Sequence, residues 1–407
     1  MSTDSITKPT REEMSFIADI NLRRDVLKGQ PLVIEGRIFS EEIRLNQFEL
    51  ENTKFLNCDF VGCTMLQGML RNVSFENCAF VANIWDKGRW DDVSFLGCAW
   101  RGRFNMGPSE GKGKLRFDDC EFIGLTSKEM GYGGPADTFG AIGGTKGDVF
   151  YNNCRFAHTY INGGASLHIK SSILDDSRIF AGTGARLLME DITGSGFVVV
   201  EGGQDIFFSS VIVRDSKFSG PLILKDVGIG TGTFERIVAD LNLKIVRADT
   251  INIHDVTFFS PDSPNPQFRY GLHTQSARIG SLNIVDCNFR GPSSTLNLWG
   301  EAEYRLDQKD ADGNDVFTTE MATAIEKLTI HHTNLIDARL QYMRVGNFRL
   351  EELAIKNADF SHSKINVLAL RQVTMDGKVE FSDTVITRKQ YVAVTDRSTG
   401  TPPSVGK

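Results

Sequence analysis

The sequence predicts an all-β chain, a right-handed parallel β-helix of roughly 13–14 coils with an N-terminal helical cap and loop insertions. Three observations predict it: an unbroken five-residue repeat over residues 53–100, a period of 20 superimposed on it, and a short motif that continues to the C-terminal region at wider spacing.

The repeat comes first because it constrains most. Every fifth residue is apolar: Phe55, Phe60, Met65, Leu70, Phe75, Phe80, Trp85, Trp90, Phe95 and Trp100. Two places earlier the residues are mostly small, as at Cys58, Cys63, Gly68, Cys78, Gly88 and Cys98. Phe55, Phe75 and Phe95, and likewise Cys58, Cys78 and Cys98, add the period of 20. Neither a helix nor a simple strand repeats every five residues. A short extended face followed by a turn does, and four such faces close one square coil. Coils then stack by parallel main-chain hydrogen bonds at about 4.8 Å, the large residue inward and the small one at the corner.

This stretch resembles the pentapeptide-repeat family, whose unit is a small residue, Asp or Asn, Leu or Phe, and two variable polar residues. Cys58-Asp59-Phe60 and Ala358-Asp359-Phe360 match that triplet, whereas Cys78-Ala79-Phe80 and Cys98-Ala99-Trp100 depart at its middle position. The resemblance covers residues 53–104. It implies a β-helical fold and says little about activity; relatives include acidic proteins that protect DNA topoisomerases by imitating the duplex, and bacterial effectors.

Beyond Phe104 one element of each coil persists: apolar, spacer, Asn or Asp, small, spacer, apolar. It recurs as FDDCEF (117–122), YNNCRF (151–156), LDDSRI (174–179), VRDSKF (213–218), IHDVTF (253–258), IVDCNF (284–289), IKNADF (355–360) and FSDTVI (381–386). IHHTNL (330–335) is a variant, and weaker candidates lie near Asp191 and Asp240. Unequal spacing is expected where one face is fixed and loops enter at other corners. A propeller or sandwich would need hairpin turns between most strands, and few are present.

Residues 1–45 are expected to cap the first coil, with Thr10 and Glu13 forming a capping box ahead of Met14, Ile17, Ile20 and Leu27 on one helix face. Residues 46–395 form the β-helix, and 396–407 a polar, proline-containing tail expected to be disordered. Insertions fall at 125–148, 259–280 and 290–327, the last with a hairpin around Asp312-Gly313 and a short helix near Met321–Lys327. Binding residues concentrate on loops carried by rigid frames, so these insertions are the first place to look for function.

Composition narrows the classes. The 407 residues carry a net charge of −7 at a pI near 5.6, which disfavours direct nucleic-acid binding. No apolar run reaches the length of a membrane span. The first residues, MSTDSITKPTREEM, lack the apolar core of a Sec signal. The seven cysteines are odd in number, which favours free thiols. The expected location is cytoplasmic, or outside the cell by a route without a Sec signal. Phe outnumbers Tyr and Trp, 28 to 7 and 4, as if a repeated interior slot wants a ring without a polar handle.

Candidate chemistry is sparse. Six cysteines share one corner of the repeat, where Ser, Thr, Ala and Val alternate with them, so packing explains them better than metal binding. The Asn/Asp ladder (Asn57, Asn77, Asp119, Asn153, Asp176, Asp215, Asp255, Asp286, Asn357, Asp383) recurs too regularly for a catalytic row and suits turns held by side-chain hydrogen bonds. Residues 308–319 place Asp310 and Asp312 as calcium ligands, but Gln308 and Thr319 fail at the two ends of such a loop. Gly140 to Lys146 lacks the order of a phosphate-binding loop. His332 of the His331-His332 pair takes an Asn/Asp slot, where a hydrogen-bonding role is expected. No cofactor is implied.

Trp85, Trp90 and Trp100 fall in inward slots, yet are large for a narrow coil and neighbour Arg89, Arg101 and Arg103. Core packing is the expected arrangement, an outward aromatic and cationic patch its alternative. A second candidate patch comprises Trp299, Arg305, Asp307, Asp310 and Asp312, with Glu301 and Glu303 beside it. The function favoured is a non-enzymatic binding or scaffold protein with a protein partner, possible homo-oligomers included. The alternative is a carbohydrate-binding or carbohydrate-active β-helix.

Overall fold

Strands in this chain pair with the equivalent strand one coil before and one coil after, always in parallel. The computed structural model describes residues 32–40, 44–46, 49–66, 68–86, 88–107, 111, 113–126, 129, 140–143, 147–182, 184–202, 207–259, 271–290, 294–298 and 323–403. Among the described residues there is no helix. The chain divides into two compact units, Met1–Leu188 and Met189–Lys407. Each is a parallel β-solenoid, with about 13 turns in all.

In the first unit the period of 20 is one coil. The strands Glu49–Leu56, Met69–Glu76 and Arg89–Leu96 set Phe55, Phe75 and Phe95 directly above one another. Stacked identical positions bring ring onto ring. Phe55, Phe75, Phe95, Phe117 and Tyr151 form a file with centroids 4.9, 4.7, 4.8 and 4.7 Å apart. A second file runs Phe39, Phe60, Phe80, Trp100, Phe122 and Phe156. The two meet edge to face, as at Phe75 and Phe80. Ring separation matches strand separation, so stacking and backbone pairing reinforce each other, which favours Phe at these inward slots.

The corners explain the small and polar slots. Asn57, Asn77, Asp119, Asn153, Asp176, Asp215, Asp255, Asp286, Asn357 and Asp383 all have φ between 41° and 54°, the left-handed region that Asn and Asp tolerate best. Backbone conformation therefore favours Asn and Asp at these corners, although Arg236 and His332 also take it, and side-chain hydrogen bonds add to it, as from Asn153 to Asp119 at 2.6 Å. Asp191 belongs to the same set, at φ 56°. Asp240 does not: Arg236 holds that corner at φ 50°, and Asp240 lies buried farther along the strand. Each corner cysteine donates its thiol hydrogen to nearby carbonyls, as Cys98 Sγ does to Phe75 O at 3.4 Å. All seven thiols are free and buried.

Several boundaries shift. The strand Leu32–Glu35 already pairs with Glu49–Leu56, so coil structure begins inside the segment expected to be a cap. The helix expected from Thr10 lies outside the described residues. The tail continues the last coil: Thr395–Asp396 pairs with Lys364–Asp376, and Thr399 N–H donates to Gly377 O at 2.8 Å. Of the helix expected near Met321–Lys327, the described part is a strand instead, Ala324–His331, paired to Arg278–Val285. The Asp312-Gly313 hairpin lies outside the described residues.

The second unit has a different core. Leu222, Leu224, Leu241, Leu243, Leu272, Leu282, Leu328 and Leu350 fill it, with ring pairs only at places such as Phe258–Phe289 and Phe360–Phe381. Its coils are unequal. Partners in adjacent coils stand 31 residues apart at Asn252 and Asn283, 46 at Cys287 and Thr333, and 20 at Met343 and Ser363.

Candidate functional site

Among the described residues, the aromatic half of the first patch is interior. Trp85, Trp90 and Trp100 are 2, 5 and 0% exposed. Room for Trp90 comes from Gly88, where a Cβ would stand 2.8 Å from the indole nitrogen and from Gly68 O. Arg89, Arg101 and Arg103 remain on the surface, Arg89 paired with Asp91 at 2.9 Å and Arg101 with Glu121. These residues thus offer no aromatic surface. Trp299, Glu301, Glu303, Arg305, Asp307, Asp310 and Asp312 lie outside the described residues, as do Thr145 and Lys146.

The second unit carries a feature on one face that strand alternation does not explain. The register stacks Leu241, Leu272 and Leu296, and beside them Asn242, His273 and Asn297. The leucines point into the coil, so the polar file points out. Outward positions are ordinarily wet, yet Asn242 is 8% exposed, Asn297 0%, and Asp240, two residues before Asn242, 3%. Asn242 Nδ2 donates to Asp240 Oδ1 at 3.0 Å. Both side-chain polar atoms of Asn297 are buried without a hydrogen-bond partner. An amide held dry and unpaired costs about 1–3 kcal/mol per group. The file continues through Arg339 and Asp359, and Gln341 Nε2 donates to Asp359 Oδ2 at 2.6 Å.

Burial sets the protonation states here. It pushes the Asp240 carboxyl up to about 8, against the Asn242 hydrogen bond and the charge of Lys244. It pushes the His273 imidazole down to about 4, and the Lys244 charge adds to that effect. Near neutral pH the face therefore offers a protonated carboxyl and a neutral imidazole on adjacent coils, a donor and a base. Groups shifted this far by burial are enriched at functional sites. Gly271 fixes the chain's entry to the face, since a Cβ there would meet Ser294 Oγ at 2.5 Å and Phe258 Cβ at 2.6 Å.

Next along the coil runs a groove of about 1050 Å³. Its floor forms where the ladder skips one residue per coil, at Asp249, Gly280, Glu326, Gly346 and Asn366. Its lining includes Arg278, Lys327, Arg344 and Lys364 against Asp249 and Glu326. The register stacks Arg247, Arg278, Ala324, Arg344 and Lys364 in one file, which sets cations at coil spacing along one edge.

Neither feature was read from the sequence. Polar residues at outward positions are unremarkable in a one-dimensional pattern. The only available signal was position: His273 lies within the 259–280 insertion and Asn297 within the 290–327 insertion, while Asp240 carried none.

No family model matches this chain, and no curated protein does. Among solved structures it is similar to a mannuronic-acid-specific polysaccharide family 6 lyase from human gut microbiota. That likeness has 11% identity and a TM-score of 0.20, over 95% of this chain and 90% of the lyase. Among the described residues no helix is long and apolar enough to cross a membrane.

Proposed function

We propose that the protein is a non-enzymatic binding protein, in which the second unit's cationic groove takes an extended acidic segment of a protein partner. The groove carries this reading. Four cations line it against two acids in a chain whose net charge is −7, so the positive field is local and selective rather than a bulk property. The backbone register sets the spacing of the positions that carry these cations, so the main chain needs no rearrangement on binding. The 20-residue coils and aromatic files of the first unit support a distant kinship with pentapeptide-repeat proteins. The strong preference of parallel crossovers for one hand supports right-handed coils.

The test is a pull-down from native lysate with the intact protein as bait, run beside a glycan array. A captured protein that is released by moderate salt supports the reading. Glycan binding without protein capture replaces it with the carbohydrate reading.

That second reading has its own observation, the protonated Asp240 carboxyl and the neutral His273 imidazole on one face. A carbohydrate-active role predicts turnover of an acidic polysaccharide that Asp240→Asn and His273→Ala each reduce at least 100-fold. Turnover unchanged in both variants would remove it.

A further inference from the structure

A cluster of histidines and carboxylates stands at another corner of the second unit. The strand Ala324–His331 ends at His331, and His332 turns the chain with φ 46°. In an extended strand, successive side chains point to opposite faces. The left-handed turn cancels that alternation, and the two imidazoles stack with centroids 3.9 Å apart and planes 23° apart. One coil later Glu352, itself at φ 53°, brings its carboxylate to both rings. Its Oε2 lies 3.6 Å from His331 Nε2 and 2.5 Å from His332 Nε2. One coil earlier, Asp286 Oδ1 stands 3.1 Å from His332 Nδ1, and Asp286 Oδ2 stands 3.4 Å from His254 Nε2.

Two imidazole nitrogens and one carboxylate oxygen thus converge within 4.8 Å of one another. Ligands held at about 2.0–2.2 Å around a tetrahedral Zn²⁺ stand roughly 3.3 Å apart, so His331 and Glu352 are close to that spacing already. His332 reaches it by exchanging its hydrogen bond to Glu352 for the ion. Asp286 behind His332 matters as much as the ligands. A carboxylate accepting from Nδ1–H fixes the tautomer with Nε2 free to bind and raises the basicity of that nitrogen. Two imidazoles and a carboxylate suit a borderline ion better than calcium or magnesium, which prefer oxygen alone. All three side chains are partly exposed, so an ion can enter and keep a water ligand.

We propose that His331, His332 and Glu352, with Asp286 orienting His332, form a surface site for a divalent transition ion, Zn²⁺ in the first instance. The tandem histidines look like an ordinary corner in the sequence; the left-handed turn and the next coil's Glu352 make them a ligand set.

The test titrates the full chain with ZnCl₂ by calorimetry and with Co²⁺ by visible absorption, which reports coordination directly. The expected result is one ion per chain and a Co²⁺ spectrum of four- or five-coordinate type. Affinity should fall at least tenfold in His331→Ala and in Glu352→Gln, by a smaller factor in Asp286→Asn, and not at all in His362→Ala, whose ring has a single carboxylate partner, Asp383. Circular dichroism confirms that each variant folds. If wild type binds Zn²⁺ no more tightly than His331→Ala, or if Glu352→Gln binds as well as wild type, the site is only a hydrogen-bonded ionic cluster and the proposal fails.

Discussion

The two units solve the same architectural problem with different cores, and the contrast locates function. In the first, rings stack on rings, so the interior is a pair of aromatic files; its coils repeat every 20 residues from Asn52 to Phe95 and then change to 22, 34 and 18. In the second, the core is aliphatic and coil lengths change from 31 to 46 to 20 residues. Repetition makes every outer position equivalent, and equivalence leaves little scope for a site. The second unit has such special positions: the polar file at Asp240, Asn242, His273 and Asn297, and the cationic groove beside it.

The largest expected effect probes the cores. Phe95 is fully buried between Phe75 and Phe117. Phe95→Ala should cost about 3–5 kcal/mol in denaturant unfolding, with lost stacking contributing about 0.5–1.5 kcal/mol of it. Leu282→Ala in the second unit should cost about 2–5 kcal/mol. If the leucine change is clearly the costlier, the aromatic files are not the stronger core.

A smaller effect sharpens the second unit. The folded pKa of Asp240, about 8, lies above its unfolded value. Its contribution is therefore complete below about pH 4 and is lost as pH rises to about 8. Asp240→Asn should leave stability unchanged near pH 4 and raise it by up to a few kcal/mol at pH 8, read as a growing gap in melting temperature. A constant gap would mean that the carboxyl is not held protonated. His273 has the opposite window: its folded pKa, about 4, lies below the unfolded one, so stability falls as pH drops from about 6.5 to about 4.

Thiol chemistry offers a finer comparison. Burial pushes Cys63 up to about 12 and Cys287 up to about 11, one in each unit. Neither should react with a thiol reagent at pH 8 until the chain unfolds. The smallest effect is at the surface of the first unit. Arg89→Ala should change stability by less than about 0.5 kcal/mol, because its ion pair with Asp91 is exposed on the arginine side.

Much of this architecture is legible in the residues. The fives from Thr53 to Trp100 announce parallel coils, and the Asn and Asp corners through Asp383 follow from a left-handed turn that those two residues tolerate best. The Trp85 and Trp90 slots read correctly as inward positions, though their fit depends on Gly88, a contact between separated residues. What could not be read depends on register across long gaps. Asn242, His273 and Asn297 share a file only because intervening loops return the chain to the same rung. Asp240 passed for a corner because its neighbours mimic the motif, while Arg236, a poor match by type, takes the turn. The tail passed for disordered because polar, proline-containing sequence is also what an exposed last coil requires.

The most direct test of where binding resides compares charge reversals in the two units. A poly-glutamate peptide would be titrated against wild type, against Arg344→Glu/Lys364→Glu in the groove, and against Arg89→Glu/Arg101→Glu in the first unit, at two salt concentrations. The account predicts at least a tenfold loss of affinity and a flatter salt dependence for the groove variant, with the first-unit variant close to wild type. Equal losses in both variants, or a loss confined to the first unit, would contradict the claim that the second unit's groove holds the binding surface.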